Sequence, residues 1–351
     1  MTGQNRIKVL IVDDSAIVRK VLTDALSGEP DIEVVGTAPD PFLARDKILT
    51  LQPDVLTLDI EMPRMDGVTF LRKLMHYRPM PVIVISSLGL ASSRTALQAL
   101  EAGAIDVLAK PGGPQSVGEL RLSVASKIRA AKIARLRPSA VNPLVSKPPS
   151  APKAAASFPP AAVIAIGAST GGTEAVHRVL GDFPENCPGV LIAQHIPAVF
   201  SRSFANRLNE LCAIRVREAE DGDKLEPGLA LIAPGNFHML LRRSLSGYRV
   251  EIKDGPLVCF QRPAVDVLFH SVAEAAGANA TAAILTGMGS DGVQGMLALK
   301  KAGAHTIAQN EDTCVVFGMP REAIRQGAVD RILALPEIPA ALLAESRRCA
   351  R

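Results

Sequence analysis

Apolar residues along this chain gather in short runs, separated by stretches in which apolar positions recur every three or four residues. The first run, Val9-Leu10-Ile11-Val12, precedes Val18, Val21, Leu22, Ala25 and Leu26, which are spaced as one face of a helix. Ile32–Val35, Val55–Leu58, Val82–Ile85 and Val107–Ala109 continue the alternation to about Ala131. Buried-strand runs alternating with amphipathic helices predict a doubly wound parallel sheet, which receives ligands beyond the carboxyl ends of its strands.

Periodicity stops between Arg137 and Pro160, where seven prolines are interspersed with Ala, Ser and Lys. Such a composition predicts an extended, semi-rigid linker over 137–160 between a domain at 1–136 and another at 161–351. The pattern then resumes with Val163–Ile166, Val190–His195, a helical stretch around Phe200–Leu211 and an apolar run at Leu229–Ala233. A hairpin strand at Tyr248–Ile252, a helix over Ala264–Ala276 and strands at Thr281–Thr286 and His305–Gln309 follow. The second domain is again predicted to be α/β and mostly parallel.

Charged and nucleophilic residues stand where these runs end. Asp13 and Asp14 close the first, Asp59 the third, Ser86 the fourth and Lys110 the fifth. Carboxylates brought together repel unless a cation joins them, and all-oxygen ligands suit a hard ion such as Mg²⁺. In the second domain Val163–Gly172 reads as strand, tight turn and helix, and Gly167-Ala168-Ser169-Thr170-Gly171 fits the G-x-S-x-G nucleophile pattern. A dinucleotide loop would need glycine where Ser169 stands and an acid about twenty residues on, where His195 closes the next run. A structural turn is the third possibility for the segment.

Ser169, His195 and Asp291 each follow a different apolar run, so a doubly wound sheet can bring them to one edge. A serine hydroxyl needs a base, and the base needs a carboxylate to hold its tautomer. These three residues supply those roles, in a chain order unlike that of the usual α/β-hydrolases. His177, His270 and His305 suit packed or surface roles, and Asp221 and Asp223 a solvated turn; His238 is kept as a possible substrate contact.

Composition narrows the function. The net charge is +4 over 351 residues, with no tryptophan and no dense basic stripe, which argues against a nucleic-acid partner. The five cysteines form no C-x-x-C pair and suit reduced thiols, neither a disulfide frame nor a zinc site. No signal peptide or span of membrane length is present, so a cytoplasmic protein without membrane insertion is expected.

The residues Asp13-Asp14, Asp59-Ile60-Glu61-Met62-Pro63-Arg64-Met65-Asp66-Gly67, Ser86 and Lys110-Pro111 resemble a response-regulator receiver domain. The resemblance implies a flavodoxin-like fold in which Asp59 accepts a phosphoryl group from a chemotaxis histidine kinase. It implies Mg²⁺ held by Asp13, Asp14, Asp59 and the Glu61 carbonyl, with Ser86 and Lys110 contacting the phosphoryl oxygens. Receivers commonly carry an aromatic residue three places before the lysine; here that place is Val107.

In the second domain Gly167–Gly172, Gln194-His195-Ile196-Pro197, Arg262-Pro263-Ala264-Val265-Asp266, Leu285–Gly292 and Gly318-Met319-Pro320 resemble the catalytic domain of the CheB-type chemotaxis protein-glutamate methylesterases. The family resemblance implies a Rossmann-like domain with Ser169 as nucleophile, His195 as base and then acid, Asp291 as its partner and the Met288 N–H as oxyanion donor. It implies hydrolysis of glutamate γ-methyl esters on methyl-accepting chemotaxis receptors, with methanol released, deamidation of receptor glutamines, and no cofactor for the hydrolysis. The receiver would cover the Ser169 cleft until Asp59 is phosphorylated. Three alternatives remain: a phosphorylation-dependent binding protein, a DNA-binding regulator and a nucleotide-dependent enzyme.

Overall fold

The computed structural model describes residues 6–63, 65–87, 89–110, 114–136 and 158–349. The chain divides into two compact units, Met1–Asn142 and Pro143–Arg351. Most of the linker expected over 137–160 lies outside the described residues.

The first unit alternates strand and helix: β1 (Ile7–Val12), α1 (Ala16–Leu26), β2 (Ile32–Ala38), α2 (Pro41–Leu51), β3 (Val55–Asp59), α3 (Gly67–Tyr77), β4 (Val82–Ser86), α4 (Leu90–Glu101), β5 (Asp106–Ala109) and α5 (Pro114–Lys132). The five strands form one parallel sheet in the order β2-β1-β3-β4-β5, the flavodoxin-like doubly wound order. β3 and β4 are buried along their whole length, as covering a sheet on both faces demands. Side chains also set where helices start. Asp40 precedes Pro41 and accepts the N–H groups of Phe42 and Leu43 at 2.9 and 3.0 Å, and Asp66 accepts that of Thr69 at 2.9 Å.

The second unit runs β6 (Val163–Ala168), α6 (Gly172–Gly181), β7 (Gly189–Gln194), α7 (Ala198–Leu211), β8 (Arg215–Glu218), β9 (Lys224–Leu225), β10 (Leu229–Ile232), β11 (His238–Ser244) and β12 (Gly247–Lys253). It continues with α8 (Val265–Ala276), β13 (Ala280–Ile284), α9 (Val293–Lys301), β14 (His305–Gln309), α10 (Met319–Arg325), β15 (Arg331–Leu333) and α11 (Ile338–Ser346). Seven strands make a parallel sheet in the order β15-β14-β13-β6-β7-β10-β8. From β6 the chain winds outward through β7; from β13 it winds the other way through β14. The two adjacent strands therefore bracket a switch point, where a crevice opens beyond their carboxyl ends.

β9, β11 and β12 form a separate antiparallel sheet, of which the sequence pattern had indicated only the hairpin around Tyr248–Ile252. The edge strands β8 and β15 also escaped the pattern. Arg215-Val216-Arg217-Glu218 is charged at three of four positions and β15 has three residues, so neither shows the apolar run of a central strand.

The core of this unit sits between α8, α9 and the sheet and centres on the fully buried Phe269. α8 lies so close to β6 that a methyl group on Gly167 would come within 2.2 Å of Val265 Cγ1 and 3.1 Å of Phe269 Cζ. That approach delivers the start of α8 to the end of β6. No helix among the described residues is long and apolar enough to cross a membrane.

Truncating Phe269 to alanine should destabilise the second unit by about 3–5 kcal/mol, the usual cost of an emptied aromatic site. Urea unfolding of the full chain should show this as a lower midpoint for the transition of the second unit.

Candidate active site

In the first unit Asp13 and Asp59 are buried and Asp14 is exposed, each at the carboxyl end of a central strand. One ligand oxygen from each of these carboxylates lies within 4.8 Å of the others. Lys110 Nζ stands 2.7 Å from Asp59 Oδ2 and 3.2 Å from Asp13 Oδ2. Burial, and then the charge of Asp59, raises the Asp13 pKa above the ordinary carboxylate value, against the opposing pull of Lys110. Asp13 Oδ2 is buried and makes no well-aligned hydrogen bond. Several carboxylates, a single ammonium and an unsatisfied buried oxygen fit a hard divalent cation such as Mg²⁺.

The other receiver positions divide. The Glu61 side chain turns away from the cluster and accepts hydrogen bonds from the hydroxyls of Ser87 and Ser92; its N–H donates to Asp59 Oδ1 at 3.0 Å. Any role of Glu61 in holding a cation therefore falls to its main chain. Ser86 is fully buried and its hydroxyl donates to Ser92 O at 3.4 Å. Val107, at the place where receivers commonly carry an aromatic, is buried within β5.

In the second unit the ends of β6, β7 and β13 meet at the switch point. Ala168 pairs with Gln194, so Ser169 and His195 are the next residues out on neighbouring strands, and the ladder extends to them through His195 N–H donating to Ala168 O at 3.0 Å. The Ser169 N–H donates to Thr286 O at 3.0 Å, beyond the end of β13. A methyl group on Gly287 would come within 2.6 Å of Ser169 Cβ, so this segment lies directly against the serine.

His195 Nε2 lies 2.7 Å from Asp291 Oδ2, both residues buried. Asp291 also receives the Val265 N–H on Oδ2 at 2.7 Å and the Asp266 N–H on Oδ1 at 2.9 Å. These are the first N–H groups of α8, whose N-cap position is Ala264 and supplies no side-chain acceptor. Asp291 thus caps α8 from a distant loop. Burial raises its pKa, but the bonds and charge of His195 and the two helix N–H groups outweigh burial and hold it below the ordinary carboxylate value.

With Nε2 committed to Asp291, Nδ1 is the remaining nitrogen of His195; it is buried and makes no hydrogen bond. The Ser169 hydroxyl and His195 are therefore not joined by a hydrogen bond in this structure, a link that often closes only around a substrate. Ser169, although buried, keeps 7% of its surface accessible. Among the described residues the Met288 N–H has no hydrogen-bond partner, while the neighbouring Gly287 O is taken by the N–H groups of Gly318 and Met319 at 3.0 and 2.8 Å. The Gly172 N–H, at the start of α6, donates to Ser169 O at 2.7 Å.

His238 is corrected from a possible substrate contact to a structural pin. Its Nε2 lies 2.9 Å from Pro256 O and its Nδ1 accepts the Ala264 N–H at 3.2 Å, so both ring nitrogens serve the main chain leading into α8. Residues that the sequence pattern passed over also shape the site. Gln309, at the end of β14, accepts the Thr286 N–H at 2.8 Å, and the Thr286 hydroxyl donates to Thr170 O at 2.9 Å. Gln194 donates to Ser169 O and His195 O at 2.9 and 3.1 Å. The readable signal was a glutamine closing a buried strand, which occurs in both β7 and β14.

Fold and site together define a class: a response regulator whose output unit is an α/β enzyme. The family model for the CheB methylesterase matches residues 164–342, and that for the response regulator receiver domain matches residues 9–120. A protein-glutamate methylesterase/protein-glutamine glutaminase of Syntrophus aciditrophicus is 56% identical, with 95% of this chain and 97% of that protein aligned. The protein of the same description from Salmonella typhimurium is 53% identical, over 97% of both chains. The solved Thermotoga maritima CheB methylesterase catalytic domain superposes with a TM-score of 0.51 at 37% identity, covering 52% of this chain and 97% of that one. The chain belongs to the CheB methylesterase family.

A raised Asp13 pKa favours folding at acid pH, and that contribution is lost as pH rises from the ordinary 3.8 through the raised value. Mg²⁺ should offset the loss, raising the melting temperature more at neutral than at acid pH, because protons and metal compete for the same oxygens. Asp13→Asn should remove most of the Mg²⁺ effect. Melting curves of the full chain over a pH series, with and without MgCl₂, would show no metal dependence if the cluster holds no cation.

Proposed function

We propose that the second unit hydrolyses glutamate γ-methyl esters on methyl-accepting chemotaxis receptors, and the corresponding glutamine amides, under control of phosphorylation at Asp59. The buried His195–Asp291 pair at 2.7 Å carries this proposal, since it sits at the end of the strand next to Ser169 in a chain of the CheB methylesterase family.

Ser169 Oγ attacks the ester carbonyl carbon while His195 Nδ1 takes its proton. The His195 Nε2–H keeps donating to Asp291, whose ionised carboxylate stabilises the imidazolium. The Met288 N–H donates to the oxyanion of the tetrahedral intermediate. Collapse expels methanol, which leaves with the proton from Nδ1. Water, deprotonated at the same nitrogen, then releases the glutamate side chain and restores Ser169. An amide follows the same path with ammonia as the leaving group, in keeping with the double description of the relatives.

In the first unit Asp59 is the phosphoryl acceptor and a chemotaxis histidine kinase the donor. Asp13, Asp14, Asp59 and the Glu61 carbonyl would hold Mg²⁺, which when bound neutralises charge on the transferring phosphoryl group. Lys110, now paired with Asp59, moves its ammonium to a phosphoryl oxygen, and the Ser86 hydroxyl exchanges Ser92 O for another. Both reactions take place in the cytoplasm, where receptor methylation sites and kinase are accessible to one protein.

Methylated receptor membranes incubated with the full chain should release methanol, and Ser169→Ala should abolish release. Asp291→Asn should lower kcat by about three to four orders of magnitude, since the amide cannot hold the productive tautomer. Mg²⁺ with a small-molecule phosphodonor should raise the rate, and Asp59→Ala should remove that rise alone. Ser169-independent release would overturn the assignment of the nucleophile.

A further inference from the structure

Gln194, 2% exposed, closes β7 opposite Ala168 at the end of β6. Its Nε2 donates to Ser169 O at 2.9 Å and to His195 O at 3.1 Å. Those carbonyls belong to the two residues between which the proposed proton transfer runs, and they stand just beyond the ends of different strands. The opposite side of the amide is held by space alone. Oε1 is buried without a hydrogen-bond partner, and a methyl group on Gly172 would come within 2.1 Å of it, so the amide is wedged against the first residue of α6. A side chain needed only to fill this volume would carry no polar atoms, because a buried acceptor left unpaired is costly.

Building on the proposed esterase mechanism, we infer that Gln194 is a positioning residue: its amide clamps the main chain of Ser169 to that of His195 and so sets the distance from Ser169 Oγ to His195 Nδ1. The clamp acts through the two peptide groups and touches neither substrate nor reacting atoms. Its two donors match its two acceptors, and a residue with one donor should retain part of the effect.

The test measures methanol release by the full chain for wild type, Gln194→Met and Gln194→Glu, with Ser169→Ala as the blank and melting temperature as a control for folding. Gln194→Met, similar in volume but without donors, should lower kcat by about ten- to a hundredfold with KM changed by less than about twofold, the signature of lost alignment. Gln194→Glu should be the informative variant. Ionised, its carboxylate faces two carbonyl oxygens; protonated, it donates to one of them. Its rate relative to wild type should therefore rise as pH falls, while the ratio for the Met variant stays flat.

A Met variant within about twofold of wild type in kcat would overturn the clamp. So would a Glu variant whose ratio to wild type does not depend on pH, and that comparison decides the matter if the Met variant does not fold. Absence of Ser169-dependent release from wild type would be a failure of the esterase proposal itself, distinguishable because it precedes any effect of Gln194.

Discussion

The second unit depends on one carboxylate and the N–H groups that converge on it. α8 begins at Val265 without a capping side chain of its own, and Asp291, from a loop later in the chain, supplies the missing acceptor. Because His195 and the two helix N–H groups together engage its oxygens, Asp291 stays ionised in a buried setting and its orientation is fixed before any substrate arrives. His195 then has one nitrogen committed and one left over. The end of β7, the loop after β13 and the start of α8 are thus tied at a single point. The bare Cα of Gly167 allows α8 close enough for that to happen.

The first unit has the opposite electrostatic problem. In place of several donors around one carboxylate, it gathers Asp13, Asp14 and Asp59 around the single ammonium of Lys110. Burial, and then the charge of Asp59, raises the Asp13 pKa, and the Asp13 oxygen that faces Lys110 makes no well-aligned hydrogen bond, so the cluster is suited to receive a cation and then a phosphoryl group. Glu61 stays outside this balance, its side chain held by Ser87 and Ser92. Both sites lie at the carboxyl ends of parallel strands. What distinguishes them is whether donors or acceptors are in excess.

Much of this was legible along the chain. Central strands such as β3, β6 and β13 are buried on both faces and therefore read as mainly apolar runs, which is why their order of appearance and the polar residues closing them could be picked out. The edge strands of the second unit's parallel sheet, β8 and β15, were not legible, because a segment such as Arg215–Glu218 needs no apolar face to pair at the rim of a sheet. His238 shows a second limit. A histidine after an apolar run carries no mark of whether its nitrogens serve a substrate or the main chain, and here Pro256 O and the Ala264 N–H take both.

The sequence by itself determined two α/β units, their mainly parallel sheets and the identity of the residues that close the strands, since period and burial are properties of local stretches. The tertiary structure alone decided which nitrogen of His195 meets Asp291, that Asp291 caps a helix twenty-six residues earlier in the chain, and that Gln194 bridges Ser169 to His195. Each of these is a hydrogen bond between groups that share no periodicity. Such a bond is set by where the strands end relative to one another and by how closely a helix can approach them, and neither is encoded in any single stretch of the chain.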